Sequence, residues 1–368
     1  MKIGILTYHR SHNYGALLQA IATRIVLKKM GHDAYYIDYW PDYHRRMYAM
    51  FNSNMLNIKH IKSSLGYLKD LILTYKNKSK RREIMLDFIH TYIEPYCLPF
   101  SDSFDAVIYG SDQIWRKQPE LNDYNPIYFG DNQIKTNKHI AYAASMDVFP
   151  STINDQSKLI HLVSHLDSIS VREESLAHEL RSLGISSVCS CLDPTLLLTF
   201  NEWNSLFPSC HAPQERYALF YDLQQNAFSK DEINSYVLKN NLKLKCIYGH
   251  ALSKETDSDI SILSADGFVE LIRNAEIVFT SSFHGLAFAL IYRKPFWASF
   301  EKNSARAISL LKDLNLTDCL LSCKSPIPSQ RVIDYGLVYE KLGKLKANSL
   351  QYLPVSYTHL RAHETRHD

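Results

Sequence analysis

The stretch Ala275-Glu276-Ile277-Val278-Phe279-Thr280-Ser281-Ser282-Phe283-His284-Gly285-Leu286 decides the fold class. Positions 275–279 form a short β-prone run. Residues 280–285 are small, hydroxyl-bearing or polar and surround a single histidine. Positions 286–292 are apolar and rich in helix formers, closed by Lys294-Pro295-Phe296. That order reads strand, short loop, helix. In α/β proteins the loop at the carboxyl end of a strand is where ligands sit. His284 is therefore the first candidate functional group. Its other reading is a structural histidine bonded to a loop carbonyl.

The same order recurs on both sides. At the N-terminus a strand at 2–7 leads into the polar loop Tyr8-His9-Arg10-Ser11-His12-Asn13-Tyr14-Gly15. A helix at 16–30 follows, with Leu17, Ala20, Ile21 and Ile25 on one face and Gly31 suited to a left-handed cap. Strands are predicted at 34–39, at 106–109 before Gly110-Ser111-Asp112-Gln113-Ile114-Trp115, and at 138–144 before Ser145. A second series starts near 166, with strands at 168–171, 188–192, 217–221 and 245–248 and helices at 176–183 and 267–274. Strands alternating with helices predict mostly parallel sheets, and 368 residues exceed one typical core. The expected architecture is α/β: two Rossmann-like domains, 1–165 and 166–325, facing a cleft. A helical insertion at 43–92 and a helical segment at 326–354 complete it.

Hydrophobic content of 46% with 21% charged residues suits a soluble globular protein. Met1-Lys2-Ile3-Gly4-Ile5-Leu6 opens directly into a strand without the apolar region of a signal peptide. No run approaches the roughly 20 apolar residues that span a bilayer. A cytoplasmic protein is expected. The seven cysteines (Cys97, Cys189, Cys191, Cys210, Cys246, Cys319, Cys323) are irregularly spaced and read as free thiols. Cys189-Ser190-Cys191 is too tight for a zinc knuckle, and no carboxylate pair has spacing that demands a metal.

Charge is uneven. Ten Lys/Arg against Asp70 make 44–82 +9, leaving −6 for the rest of a chain of net charge +3. This stretch reads either as a solvated helical insertion or as a surface for an anionic glycan or the anionic membrane face that carries it. No nucleic-acid motif accompanies it. Residues 355–368 have no apolar face and hold three histidines; they read as a non-native tail, the alternative being a metal-binding His tract.

Taken together, Asn13-Tyr14-Gly15-Ala16-Leu17-Leu18-Gln19-Ala20, Gly110-Ser111-Asp112-Gln113-Ile114-Trp115, Ala141-Tyr142-Ala143-Ala144-Ser145, Ser170-Val171-Arg172-Glu173, Asp193-Pro194-Thr195-Leu196-Leu197 and Ser282-Phe283-His284-Gly285 resemble the polysaccharide pyruvyl transferase family, in the family's order. Asn303-Ser304-Ala305-Arg306 extends the match. The resemblance implies a GT-B-like fold with the site in the interdomain cleft. It also implies transfer of a pyruvyl group from phosphoenolpyruvate, a co-substrate rather than a cofactor, to hydroxyls of a hexose. The acceptor would belong to a surface polysaccharide or its lipid-linked precursor, met at the inner face of the cytoplasmic membrane. Characterised members can carry Arg-Leu before the His-Gly pair, and many bacterial relatives carry Asp-Ser-Phe. Here Ser281-Ser282-Phe283 stands instead, so a donor-binding Arg must come from elsewhere or the donor differs. The altered C-terminus is expected to remove the helix that in GT-B-like proteins packs back on the first domain.

Ketal formation needs a grip on two anions, a general acid and a base for a hydroxyl proton. His284 suits proton transfer or, charged, could hold the phosphate. Arg172 offers a planar fork for the donor's carboxylate or phosphate; its other reading is a pair with Glu173 or Glu174. Arg306 is read as a phosphate contact or as a partner of Asp313 or Glu301, and Ser282 as a hydrogen-bond donor to the donor substrate. On the acceptor side, Asn13 offers a hydrogen bond, Tyr14 a stacking ring and Ser145 a hydroxyl; Asn13 could instead cap its helix. Asp112 is either the base for the acceptor hydroxyl or a helix cap, with Trp115 in the core. Asp193 before Pro194 is read as fixing a turn. Two other functions share the fold: a GT-B glycosyltransferase using a nucleotide sugar, and a non-catalytic glycan-binding relative.

Overall fold

A computed structural model describes residues 1–51, 61–146, 148–209, 215–224, 226–302, 305–329 and 332–358, with 61–64 and 355–358 described for the backbone only. Cys210, Asn303, Ser304 and 359–368, named above, lie outside the described residues.

Nine strands build the first half: β1 (Lys2–Leu6), β2 (Asp33–Asp38), β3 (Cys97–Pro99), β4 (Ser103–Phe104), β5 (Ala106–Tyr109), β6 (Lys135–Thr136), β7 (His139–Ala144), β8 (Ser168–Val171) and β9 (Val188–Ser190). Seven form a parallel sheet in the order β3-β2-β1-β5-β7-β8-β9, while β4 and β6 pair separately. The second half adds β10 (Tyr217–Tyr221), β11 (Lys243–Ile247), β12 (Asp259–Ile260), β13 (Ile277–Thr280), β14 (Phe296–Ser299) and β15 (Leu320–Leu321). They form a parallel sheet in the order β12-β11-β10-β13-β14-β15. The central strands β1, β5, β10 and β13 are almost wholly buried. Sheets covered by helices on both faces require such continuous apolar runs rather than alternation.

The helices are α1 (Tyr14–Lys29), α2 (Asp42–Met47), α3 (Ile61–Tyr92), α4 (Ile153–Val163), α5 (Glu174–Ser182), α6 (Phe200–Leu206), α7 (Lys230–Lys239), α8 (Ala265–Asn274), α9 (Phe283–Ile291), α10 (Ala305–Asp313) and α11 (Tyr335–Thr358). Beyond α1, Gly31 takes φ +84° as expected, a left-handed conformation that costs glycine little. Two parallel Rossmann-like domains facing each other form the expected GT-B-like architecture.

Two expectations need correcting. The boundary does not fall at 165: β8 pairs with β7 (Ile140 opposite Ser168, Ala141 opposite Ile169) and β9 with β8. The first sheet therefore extends to residue 190. A strand's sheet is set by its pairing partners, and those lie elsewhere in the chain. The returning helix is also present. α11 continues through Pro354 to Thr358. Its Tyr352 hydroxyl donates to the Ala141 carbonyl (2.8 Å), and its Ser349 Oγ accepts from the Leu192 N–H (2.9 Å).

The two halves share a hydrophobic core running from Ile3 and Leu17 through Tyr221 and Phe268 to Leu342 and Leu353. From α3, Arg81 donates to the carbonyls of Tyr248 (2.9 Å) and Ser261 (2.5 Å), and Asn77 to that of Leu252 (2.8 Å). Among the described residues no helix is long and apolar enough to cross a membrane.

Candidate active site

The site forms where β13 hands over to α9. Ser282 caps α9, its Oγ accepting from the Gly285 N–H at 3.4 Å. Capping explains a Ser there without any ligand. All nine residues of α9 are buried, so the helix is packed on every side and its first turn is held in place. In that turn stands His284, its ring against Gly15 of α1. A β-carbon on Gly15 would lie 1.9 Å from His284 Nδ1. The glycine is needed because this is where the two domains meet.

His284 Nε2 lies 3.5 Å from Asp193 Oδ2. The same oxygen pairs with Arg172 Nη2 at 2.8 Å, both side chains being almost completely buried, and it accepts from Ser111 Oγ at 3.3 Å. Asp193 Oδ1 accepts from the Thr195 N–H (2.9 Å) and hydroxyl (2.6 Å). Burial alone would raise the Asp193 carboxyl. The Arg172 charge and the nearby His284 overcome this and hold it well below the usual carboxylate range. Asp193 does fix the turn at Pro194–Leu197 through Oδ1, as expected, and through Oδ2 it is also the ionised hub linking Arg172, His284 and Ser111. The signal was present in Asp193-Pro194-Thr195, but an Asp-Pro pair gives no sign of the burial.

Arg172 therefore pairs with neither Glu173 nor Glu174. Nη2 carries the ion pair and a bond to Ser111 Oγ, while its Nε and Nη1 are buried and without a partner. Buried donors without partners cost about 1–3 kcal/mol each. The guanidinium lies 5.2 Å from the Phe283 ring centre, and that of Arg306 lies 5.7 Å from the same ring. Arg306 sits beside Glu173 (Nε to Oε1, 3.8 Å) and Asp112 (Nη1 to Oδ1, 4.0 Å), not beside Asp313 or Glu301. Burial and then repulsion from Arg172 lower the Arg306 pKa, and Glu173, Asp112 and Asp193 oppose the shift. Burial raises the Glu173 carboxyl, with Arg306, Arg172 and the Ser145 hydroxyl offsetting part of that. A cavity of about 100 Å³ opens here, lined among others by Arg172, Asp193, Phe283 and Arg306.

The residues expected on the acceptor side fare differently. Asn13 caps α1, Oδ1 accepting from the Ala16 N–H at 3.1 Å. Tyr14 does not present a ring to a ligand. It is buried between the domains, stacked on Phe268 with centroids 5.1 Å apart, because its position on α1 faces α8. Ser145 is fully buried and donates to Glu173 Oε1 at 2.5 Å; it orients Glu173 rather than meeting a sugar. Asp112 caps no helix, since none follows it. It takes φ +78°, its Oδ1 accepts from the Gln113 N–H (2.8 Å), and it is partly exposed on the rim beside Arg306. Trp115 is core, as expected, donating from Nε1 to the Tyr128 carbonyl (3.1 Å).

Residues 13–299 match the polysaccharide pyruvyl transferase family, and that span contains nearly every residue of the site. The chain belongs to the polysaccharide pyruvyl transferase family. No curated protein matches it. Among solved structures it is similar to a putative UDP-N-acetylglucosamine 2-epimerase from Listeria monocytogenes (10% identity, 95% of this chain and 90% of that one, TM-score 0.49). It is also similar to the UDP-GlcNAc 2-epimerase of Methanocaldococcus jannaschii (11%, 94% and 93%, 0.43) and the glycosyltransferase SnogD of Streptomyces nogalater (10%, 98% and 99%, 0.39). In this family member the pair before His284-Gly285 is Ser282-Phe283, and two arginines from other segments converge on the Phe283 ring.

Proposed function

We propose that the chain transfers a pyruvyl group from phosphoenolpyruvate to two hydroxyls of one hexose in a cell-surface polysaccharide or its lipid-linked precursor. One observation carries this reading: buried Arg172 and partly buried Arg306 meet on the Phe283 ring, with two Arg172 donors unpartnered beside His284. Two desolvated guanidinium groups side by side repel each other, and a small polyanion placed between them would relieve that repulsion and fill the open donors. Phosphoenolpyruvate brings a carboxylate and a phosphate on a three-carbon frame. The family membership supports the same chemistry.

In this scheme a proton is added to the methylene carbon, leaving positive character on the carbon that bears the phosphate. A hexose hydroxyl bonds to that carbon and gives up its proton. The carbon–oxygen bond to phosphate then breaks, and a second hydroxyl closes the ketal and releases its proton. Two hydroxyl protons enter the balance; one ends on the new methyl group and one on inorganic phosphate. His284, whose Nε2 lies 3.5 Å from Asp193 Oδ2, is assigned to the proton on carbon. Asp112, on the rim, is assigned to the hydroxyl proton. The reaction is placed in the cytoplasm.

Calorimetric titration of phosphoenolpyruvate into the full chain tests this, with UDP, GDP and CMP as comparison ligands. Saturable phosphoenolpyruvate binding that disappears in Arg172→Ala is the expected result. Binding of a nucleotide in its place would move the chain to the glycosyltransferases.

A further inference from the structure

Helix α3 has two unlike faces. Inward, Thr74 and Met85 are buried, Lys78 Nζ donates to the Met50 carbonyl (2.8 Å), and Arg81 grips two carbonyls of the second domain. These contacts fix the rotation of the helix. Outward, Leu65, Lys69, Ile72, Leu73, Lys76 and Lys80 follow at steps of four, three, one, three and four, one stripe of an α-helix. Leu65 is 60% exposed, Ile72 77% and Leu73 56%, and the three lysines are exposed as well. None of these lysines is in an ion pair among the described residues. Asp70 points away from the stripe, toward a cleft it lines with Lys78 and Arg81, and the same face turns acidic only one turn further on, at Glu83 and Asp87.

A solvated surface helix would carry alternating charges here, and a helix docked on this protein would bury its leucines. We propose that this stripe docks on the surface of an anionic lipid bilayer. Leu65, Ile72 and Leu73 would enter the headgroup boundary, and Lys69, Lys76 and Lys80 would meet lipid phosphates. Charge complementarity supports this occupant: the basic excess of the chain is confined to 44–82, and the remainder is net acidic. Exposed apolar side chains interleaved with lysines describe an interfacial helix, and each lysine near an anionic leaflet adds attraction.

Flotation of the full chain with vesicles tests the proposal, comparing phosphatidylcholine alone with a mixture containing phosphatidylglycerol. The two variants are Ile72→Asp with Leu73→Asp, and Lys69→Glu with Lys76→Glu. Because all four positions are exposed, helicity by circular dichroism and phosphoenolpyruvate binding are expected to stay unchanged; the latter separates this proposal's failure from that of the transfer reading. The expected result is binding to the anionic vesicles that high salt screens and that each variant reduces at least about tenfold. Absence of binding, or binding equal in the variants, overturns it. A dimer in light scattering that the variants split, without vesicle binding, also overturns it and makes the stripe an interface between copies.

Discussion

His284 of the second domain rests against Gly15 of the first so closely that a β-carbon on residue 15 would come within 1.9 Å of Nδ1 and 2.3 Å of Cγ. The imidazole of the candidate site is therefore also a point of close contact between the domains. Gly15→Ala is expected to displace the ring or part the domains and to cut kcat/KM at least about 100-fold, the usual size of an ångström-scale misplacement. Its thermal midpoint should fall as well. Adding His284→Ala removes the clash and should restore most of that midpoint without restoring turnover. A double variant as unstable as Gly15→Ala would show that the contact is not the cause.

Asp193 carries an acid-side signature. Its carboxyl lies well below the usual range because the pull of Arg172 and His284 exceeds the cost of burial. A carboxylate depressed on folding stabilises the fold above its unfolded pKa of about 3.9 and loses that contribution as pH falls below it. Asp193→Asn leaves Arg172 as a buried charge without its ion-pair partner, a change of about 3–5 kcal/mol. Thermal midpoints of the two proteins should differ by a constant amount above about pH 5 and converge below about pH 4. Parallel curves through pH 3 would mean that Asp193 is not ionised in the fold.

Buried histidines of the first domain act in another window. Burial, and then Arg10, push the His9 imidazole down to about 4. Burial, and then Arg116, push His44 down to about 4. Both are neutral when folded and take up a proton when unfolded below about pH 6.5. Stability is therefore fully present above that pH and is lost as pH falls from about 6.5 to 4, by up to about 1.4 kcal/mol per pH unit for each group. Denaturant midpoints at pH 7.5 and 5.0 should show the loss, and His44→Gln should flatten it. An unchanged slope in that variant would place the titration elsewhere.

Much of the fold was legible because strands and helices announce themselves by period and by punctuation at Gly31 and Pro295. The sheet to which β8 belongs was not, since pairing with β7 is a relation between distant segments. In the site, His284 and Arg172 could be read from loops after apolar strands. Asp193 could not, because an aspartate before proline looks the same whether it is exposed or fully buried. The inward orientation of Tyr14 and Ser145 is hidden from the sequence for a related reason. Each sits in a loop-adjacent motif, and only the opposing elements, Phe268 on α8 and Glu173 after β8, show that both face inward.

Arg172→Lys and Arg306→Lys separate geometry from charge. Each keeps a cation on the Phe283 ring but exchanges a planar fork for a single ammonium. At Arg172 one edge already serves Asp193 and Ser111, so a lysine can keep that ion pair or reach a ligand, not both. Phosphoenolpyruvate affinity in Arg172→Lys is expected to fall at least about tenfold, the loss of one charge-assisted hydrogen bond of about 1.5–3 kcal/mol. Arg306 holds its carboxylates only at 3.8–4.0 Å and should be freer to turn toward a ligand. Arg306→Lys should therefore weaken binding while leaving the thermal midpoint nearly unchanged, whereas Arg172→Lys should lower both. Calorimetric titration alongside thermal melts checks the pair, and an Arg172→Lys protein that binds as tightly as the parent would remove the fork from the site.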